Sequence, residues 1–146
     1  MKLFKKILIK GCDARGDGDS PYLTRYVICW FKNLKVYLHV FHRSDADELH
    51  DHPWNYTSVI LWRGYNEEYF AYWRGTNFKG RKRIWPGMVI HRKAGHIHRV
   101  ELVKNKRAVT LVFISGWKRH WGFMTPKGWQ YWKEYFADKG CNTIQN

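Results

Sequence analysis

The chain has few cysteines, few acidic residues, no long apolar run and no internal repeat, and each shortage closes off a class of protein. Its three cysteines, Cys12, Cys29 and Cys141, are an odd number without C-x-x-C spacing. That pattern indicates neither a disulfide framework nor a zinc ribbon, and reduced thiols in a cytoplasm fit it best. No apolar stretch approaches the ~20 residues of a membrane-spanning helix, so stable insertion into a bilayer is not expected. Met1 to Lys10 alternates lysines with Leu3, Phe4, Ile7, Leu8 and Ile9 but lacks the long apolar stretch and small-residue cleavage site of a signal peptide. It reads as a first strand or short helix on the body of the protein, ahead of a membrane-surface anchor.

Twelve acidic residues stand against 26 Lys and Arg, giving a formal charge of +14 over 146 residues. A surplus of that size attracts nucleic acid, nucleotides, phosphorylated sugars or anionic lipid, and the plain alternative is a solvated basic surface. Gly11 to Pro21 is almost all turn-forming residues and reads as a loop. Its Asp13, Asp17 and Asp19 do not match calcium-loop spacing. The Arg15-Gly16-Asp17 tripeptide is short enough to arise by chance.

What is present is apolar and aromatic: 45% hydrophobic and 18% aromatic residues, enough for one domain with its own core. Tyr26 to Phe31 and Val36 to Phe41 read as a hairpin turning at 32–35, rich in β-branched and aromatic residues. In its second strand Tyr37, His39, Phe41 and Arg43 share one face and Val36, Leu38, Val40 and His42 the other. Further strands are expected at 55–62, 67–73, 81–85, 88–92, 96–102 and 108–115, spaced as in a sandwich or barrel. Thr125-Pro126 followed by Trp129, Trp132 and Phe136, with Gly140 beyond, predicts a closing helix. The organisation is a single domain over 1–146: an N-terminal segment and loop (1–21), a barrel (22–116) and a C-terminal helix (125–139).

The stretch that carries chemistry is Glu48-Leu-His50-Asp-His52-Pro-Trp54. In an extended segment His50 and His52 point to one side while Asp51 turns away, which is half of a metal site. A second histidine-bearing segment, Gly87 to His98, offers His91, His96 and His98. Together these segments resemble the cupin superfamily, whose first motif is G-x5-H-x-H-x3,4-E-x6-G and whose second is G-x5-P-x-G-x2-H-x3-N. His50, His52 and Gly64 fall on the first motif; Gly87, Gly95 and His98 fall on the second. The motif glutamate falls at Tyr56 or Thr57, its proline at Lys93 and its asparagine at Leu102.

The resemblance implies an all-β fold, the double-stranded β-helix or jelly-roll barrel, and a metal held by His50, His52 and His98 without the carboxylate. A three-His set is similar to that of thiol dioxygenases. More narrowly, Ser20-Pro-Tyr-Leu-Thr-Arg, His50-Asp-His-Pro-Trp54 and the tail from Trp121 to Trp129 resemble small cupin-like proteins of phages and bacteria. The implied activity is that of a three-His Fe(II) oxidoreductase, dioxygenase-like, acting on a small anionic or phosphorylated substrate; zinc or nickel would suit hydrolysis or isomerisation.

Around the metal, His96 is the competitor for third ligand or a fourth one. Arg43 is a candidate grip for a substrate anion, against a surface ion pair with Asp45 or Asp47. His39 is a candidate general base, against a core histidine. Glu48 and Glu101 are candidates to orient the imidazoles, and Tyr26, Tyr56 and Trp54 to wall the pocket. Two basic clusters, Arg74 to Arg83 with Trp73, Phe78 and Trp85 interleaved, and Lys104 to Arg107, leave open a binding module for a nucleotide or single-stranded nucleic acid. A nucleotide-sugar isomerase or epimerase is a further alternative, and a homodimer through edge strands is compatible with all of these readings.

Overall fold

The computed structural model describes residues 4–12, 19–45 and 48–141. Asp13, Asp17, the Arg15-Gly16-Asp17 tripeptide, Asp47 and the side chain of Trp73 lie outside the described residues. Eleven strands precede one α-helix among them: β1 (Lys5–Lys10), β2 (Pro21–Phe31), β3 (Leu34–Phe41), β4 (Tyr56–Trp62), β5 (Tyr65–Trp73), β6 (Thr76–Ile84), β7 (Val89–Arg92), β8 (Ile97–Leu102), β9 (Ala108–Ile114), β10 (Gly122–Thr125), β11 (Gly128–Tyr131) and α1 (Trp132–Asp138). Six strands form one sheet in the order β1-β2-β3-β9-β4-β7, three form a second in the order β6-β5-β8, and β10 pairs with β11. The pairings are antiparallel.

Alternation along each strand decides which side chains meet. On β3, Tyr37, His39 and Phe41 are buried while Val36, Leu38 and Val40 are half-buried, so the face carrying His39 is the inner one. Leu23, Phe41, Ile60 and Ala108 of the large sheet meet Tyr65, Ile84, Val100 and Leu102 of the small one in a shared core. Ile60 and Ile84 are 1% and 0% exposed, and burial of such a side chain stabilises by about 1.5–3 kcal/mol. Gly64 turns β4 into β5 at φ +66°, and a Cβ there would sit 2.1 Å from the Ile84 carbonyl oxygen. Only glycine fits.

Two expectations need correction. Cys12 and Cys141 are joined in a disulfide across 129 positions of sequence, with Cα atoms 5.5 Å apart; Cys29 keeps its thiol. Sequence spacing could not reveal the pair, because tertiary packing alone brings the end of β1 beside the end of α1. Free thiols at these two positions therefore no longer support a cytoplasmic setting. Reduction with dithiothreitol is expected to lower stability by about 2–4 kcal/mol, measured by urea unfolding with and without reductant. Unchanged midpoints would mean that the bond constrains nothing.

The second correction concerns the start of the C-terminal helix. The stretch from Thr125 does not open a helix but turns a hairpin, with β10 and β11 paired from Gly122↔Tyr131 to Thr125↔Gly128. Thr125 Oγ1 donates to the Gly128 carbonyl at 2.8 Å and accepts from the Lys127 N–H at 3.2 Å. Gly128 takes φ +109°, so the Pro-Lys-Gly sequence favours a turn there over a helical first turn. The helix starts at Trp132, and Phe123 stacks on Tyr135 with ring centroids 3.9 Å apart.

Candidate metal centre

The segment between β3 and β4 carries His50 and His52 and is pinned by its backbone. His50 and His98 exchange N–H···O bonds of 2.9 Å in both directions, and the His52 N–H donates to the Ala94 carbonyl at 3.0 Å. Asp51 points the other way, 1% exposed. Its Oδ1 accepts the Gly122 N–H at 2.8 Å, its Oδ2 accepts Trp129 Nε1–H at 3.0 Å, and Arg119 lies 3.2 Å from Oδ2. The period-two geometry thus sends two imidazoles inward and uses the residue between them to hold the β10–β11 hairpin.

The ligand atoms of His50, His52 and His98 lie within 4.8 Å of one another. His52 Nε2 is 2.9 Å from His98 Nε2, and His50 Nδ1 is buried without a hydrogen-bond partner. Three imidazoles, each bringing one ring nitrogen to a common point, are what a divalent cation would bind. Burial pushes the His52 pKa well down, assisted by the neighbouring histidines and Arg25. Burial also lowers that of His98, against the opposing pull of Glu67. Neutral imidazole is the ligating form, so the residues fit a divalent metal.

Glu67 is the residue that sequence reasoning missed. It stands on β5 between Tyr65 and Tyr69, 1% exposed, and its Oε1 lies 2.8 Å from His98 Nδ1 and 3.3 Å from His96 Nε2. Arg92 grips both carboxylate oxygens through Nε and an Nη group. Burial alone would raise the Glu67 pKa, but hydrogen bonds from His96, His98 and Arg92 outweigh it and hold the carboxyl far below its usual range. A carboxylate can only accept, so His98 Nδ1 carries the proton and its Nε2 lone pair faces His52. The available signal was an acidic residue on the inward alternation of β5.

The sites proposed from sequence distribute as follows. A cavity of about 450 Å3 is lined by His50, His52, His98, His39 and Arg43, together with Arg25, Trp54 and Tyr56. Tyr56, one of the two positions where the motif glutamate would fall, brings its hydroxyl to 3.3 Å from His98 Nε2, and burial keeps it a protonated phenol. His39 accepts from Arg25 Nε at 3.1 Å; burial, then the charge of Arg25, pushes its pKa well down. Arg43 lies over the Tyr22 ring at 5.7 Å, and the Asp45 carboxylate accepts the Val100 N–H at 2.7 Å.

His96 stacks on Tyr69 and binds Glu67 outside the lining of the cavity. Glu67, His96 and His98 also converge, yet Arg92 already occupies both Glu67 oxygens, so this trio reads as a hydrogen-bond network. Glu101 pairs with Arg81 at 2.8 Å on the surface, Glu48 contributes its backbone N–H to Tyr135, and Tyr26 does not line the cavity. His91 faces outward and meets Thr57. In the first basic cluster Arg83 lies over the exposed ring of Trp85 at 4.6 Å, and outside both clusters Arg63 lies over that of Trp62 at 4.3 Å.

Against solved structures the chain has clear counterparts. A cupin 2 conserved barrel domain protein from Rhodopseudomonas palustris superposes with TM-score 0.63 over 86% of this chain and 80% of that one, at 8% identity. A cupin-2 domain from Rhodospirillum rubrum gives TM-score 0.61 over 88% and 86%, at 10% identity. The fold is the cupin barrel. HppE in its iron(II) form matches with TM-score 0.56 and 11% identity over 78% of this chain and 60% of its own. No family model and no curated protein matches the sequence. No helix of the described residues is long and apolar enough to cross a membrane.

Proposed function

We propose that this cupin barrel is a metal-dependent enzyme, an iron(II) oxidoreductase of dioxygenase type acting on a small organic anion. The observation that carries the reading is the convergence of three imidazoles on one wall of a cavity whose other walls bear Arg25 and Arg43. His50, His52 and His98 would hold the ion, and iron(II) in such a set supplies dioxygen-dependent oxidation. Zinc or nickel held by the same three imidazoles is the alternative occupant.

The chain's own groups have definable tasks. Glu67 fixes the His98 ring through Nδ1 and leaves Nε2 free to bind. Tyr56 keeps its proton on Oη and can donate it to a ligand beside His98. The arginines offset substrate charge, while Trp54, Phe41 and Val112 limit water in the chamber. In a second reading the protein is a basic binding module for a nucleotide or single strand, favoured by the exposed Trp62–Arg63 and Trp85–Arg83 pairs.

Metal content by inductively coupled plasma mass spectrometry decides first, on wild type beside the His50→Ala/His52→Ala double variant. Near-stoichiometric iron in the wild type, lost in the variant, is expected, followed by substrate-dependent oxygen uptake. Zinc would redirect the reading to hydrolysis or isomerisation. No metal in either protein after reconstitution with iron(II) would sink it.

A further inference from the structure

Arg25 stands on the inner face of β2 between Leu23 and Val27, which are 4% and 2% exposed. A guanidinium on a core face needs an anion, and the described residues give it none. Its Nε donates to His39, directly opposite on β3, and its Cζ lies 4.8 Å from the Tyr37 ring centre. Both partners are neutral. Among the described residues no carboxylate pairs with Arg25, and its two Nη groups make no hydrogen bond. Burial lowers the Arg25 pKa, with the Tyr37 and Tyr22 phenols as the opposing influences, so the cation sits in its chamber at a cost that a ligand would remove.

We propose that Arg25 is the anion subsite of the cavity and takes the carboxylate of a small organic acid. The free Nη pair forms a fork that matches a planar carboxylate end-on. One cation without a second beside it in hydrogen-bond contact suits a monoanion. Phe41, Val112 and Ile114 supply apolar walls for the body of the acid, and His50, His52 and His98 line the same chamber. The charge of Arg25 reaches both the metal wall and the β2–β3 hairpin: it helps to keep His52 neutral and lowers the pKa of Lys35 after burial. A carboxylate on Arg25 therefore lies within electrostatic range of the histidines. The proposal rests on the reading above only in taking this cavity as the substrate chamber.

The test is calorimetric titration with benzoate, benzyl alcohol and phenyl phosphate, run on the protein as purified and after metal removal with EDTA. Benzoate is expected to bind wild type in both states, with benzyl alcohol about tenfold weaker or more. Arg25→Met should lose benzoate affinity by a similar factor, and Arg25→Lys, which keeps the charge without the fork, should fall between. Should Arg25→Met fail to fold, Arg25→Lys and the benzoate-induced shift of the Arg25 Nε–H resonance in wild type decide instead. Absent benzoate binding, equal binding by Arg25→Met, or Arg25-dependent preference for phenyl phosphate would overturn the carboxylate assignment. Benzoate binding without any iron binding would leave this subsite standing and remove the metal reading alone.

Discussion

Replacing Glu67 with alanine is expected to destabilise the barrel by about 3–5 kcal/mol, because it leaves a buried arginine without its counter-ion. Arg92 is only 18% exposed at its side chain, and Glu67 is its bidentate partner. The same change releases His98 Nδ1, so the ring is free to adopt the other tautomer or rotate, and metal affinity should fall by about 10–100-fold. Glu67→Gln separates the two effects. Glutamine retains one acceptor for Arg92 or for His98 but not both charges' worth of attraction, so stability should fall less than in the alanine variant while metal affinity still drops. Urea unfolding and competitive metal titration measure the pair. If Glu67→Gln bound metal as tightly as wild type, Glu67 would be an internal counter-ion for Arg92 and nothing more.

Glu67 also shows where sequence reading stops. Strand positions, the inner face of β3 and the His50/His52 pair follow from period-two alternation, which is a local property. The grouping of His98 with them came from motif resemblance, since the two segments are 46 residues apart. Glu67 and Arg25 belong to neither motif and acquire meaning only through strand pairing: Glu67 lies on β5 opposite Val100, one pleat from His98, and Arg25 lies opposite His39. A charged residue on an otherwise apolar alternation was the legible sign, but strand register chooses its partner. The disulfide was illegible for the same reason. At Thr125-Pro126-Lys127-Gly128 two local signals competed, a proline at a helix start and a glycine able to take positive φ, and the hairpin prevailed because Asp51 anchors Gly122 and Trp129 on its two strands.

That anchor makes Asp51 the second position of large effect. Asp51→Ala would leave the Gly122 N–H buried without its acceptor and strip Trp129 Nε1 of its own; each bond to a charged group contributes about 1.5–3 kcal/mol, giving an expected loss of about 3 kcal/mol or more. Arg119 adds little to this sum, since its side chain is 45% exposed and water can replace the carboxylate. Asp51→Asn should cost less, because an amide oxygen serves one donor while its NH2 faces the other. The location of the damage distinguishes this change from the Glu67 variants. Loosening of β10–β11 should expose the turn at Lys127 to trypsin before the barrel unfolds, and His50 and His52, on either side of Asp51, should lose their shared orientation, lowering metal affinity with His98 still held by Glu67. Limited proteolysis with mass mapping, alongside metal titration, checks both. A variant that resists cleavage at Lys127 yet unfolds globally at lower urea would place the role of Asp51 in the barrel itself, and the link between hairpin and histidines would fall.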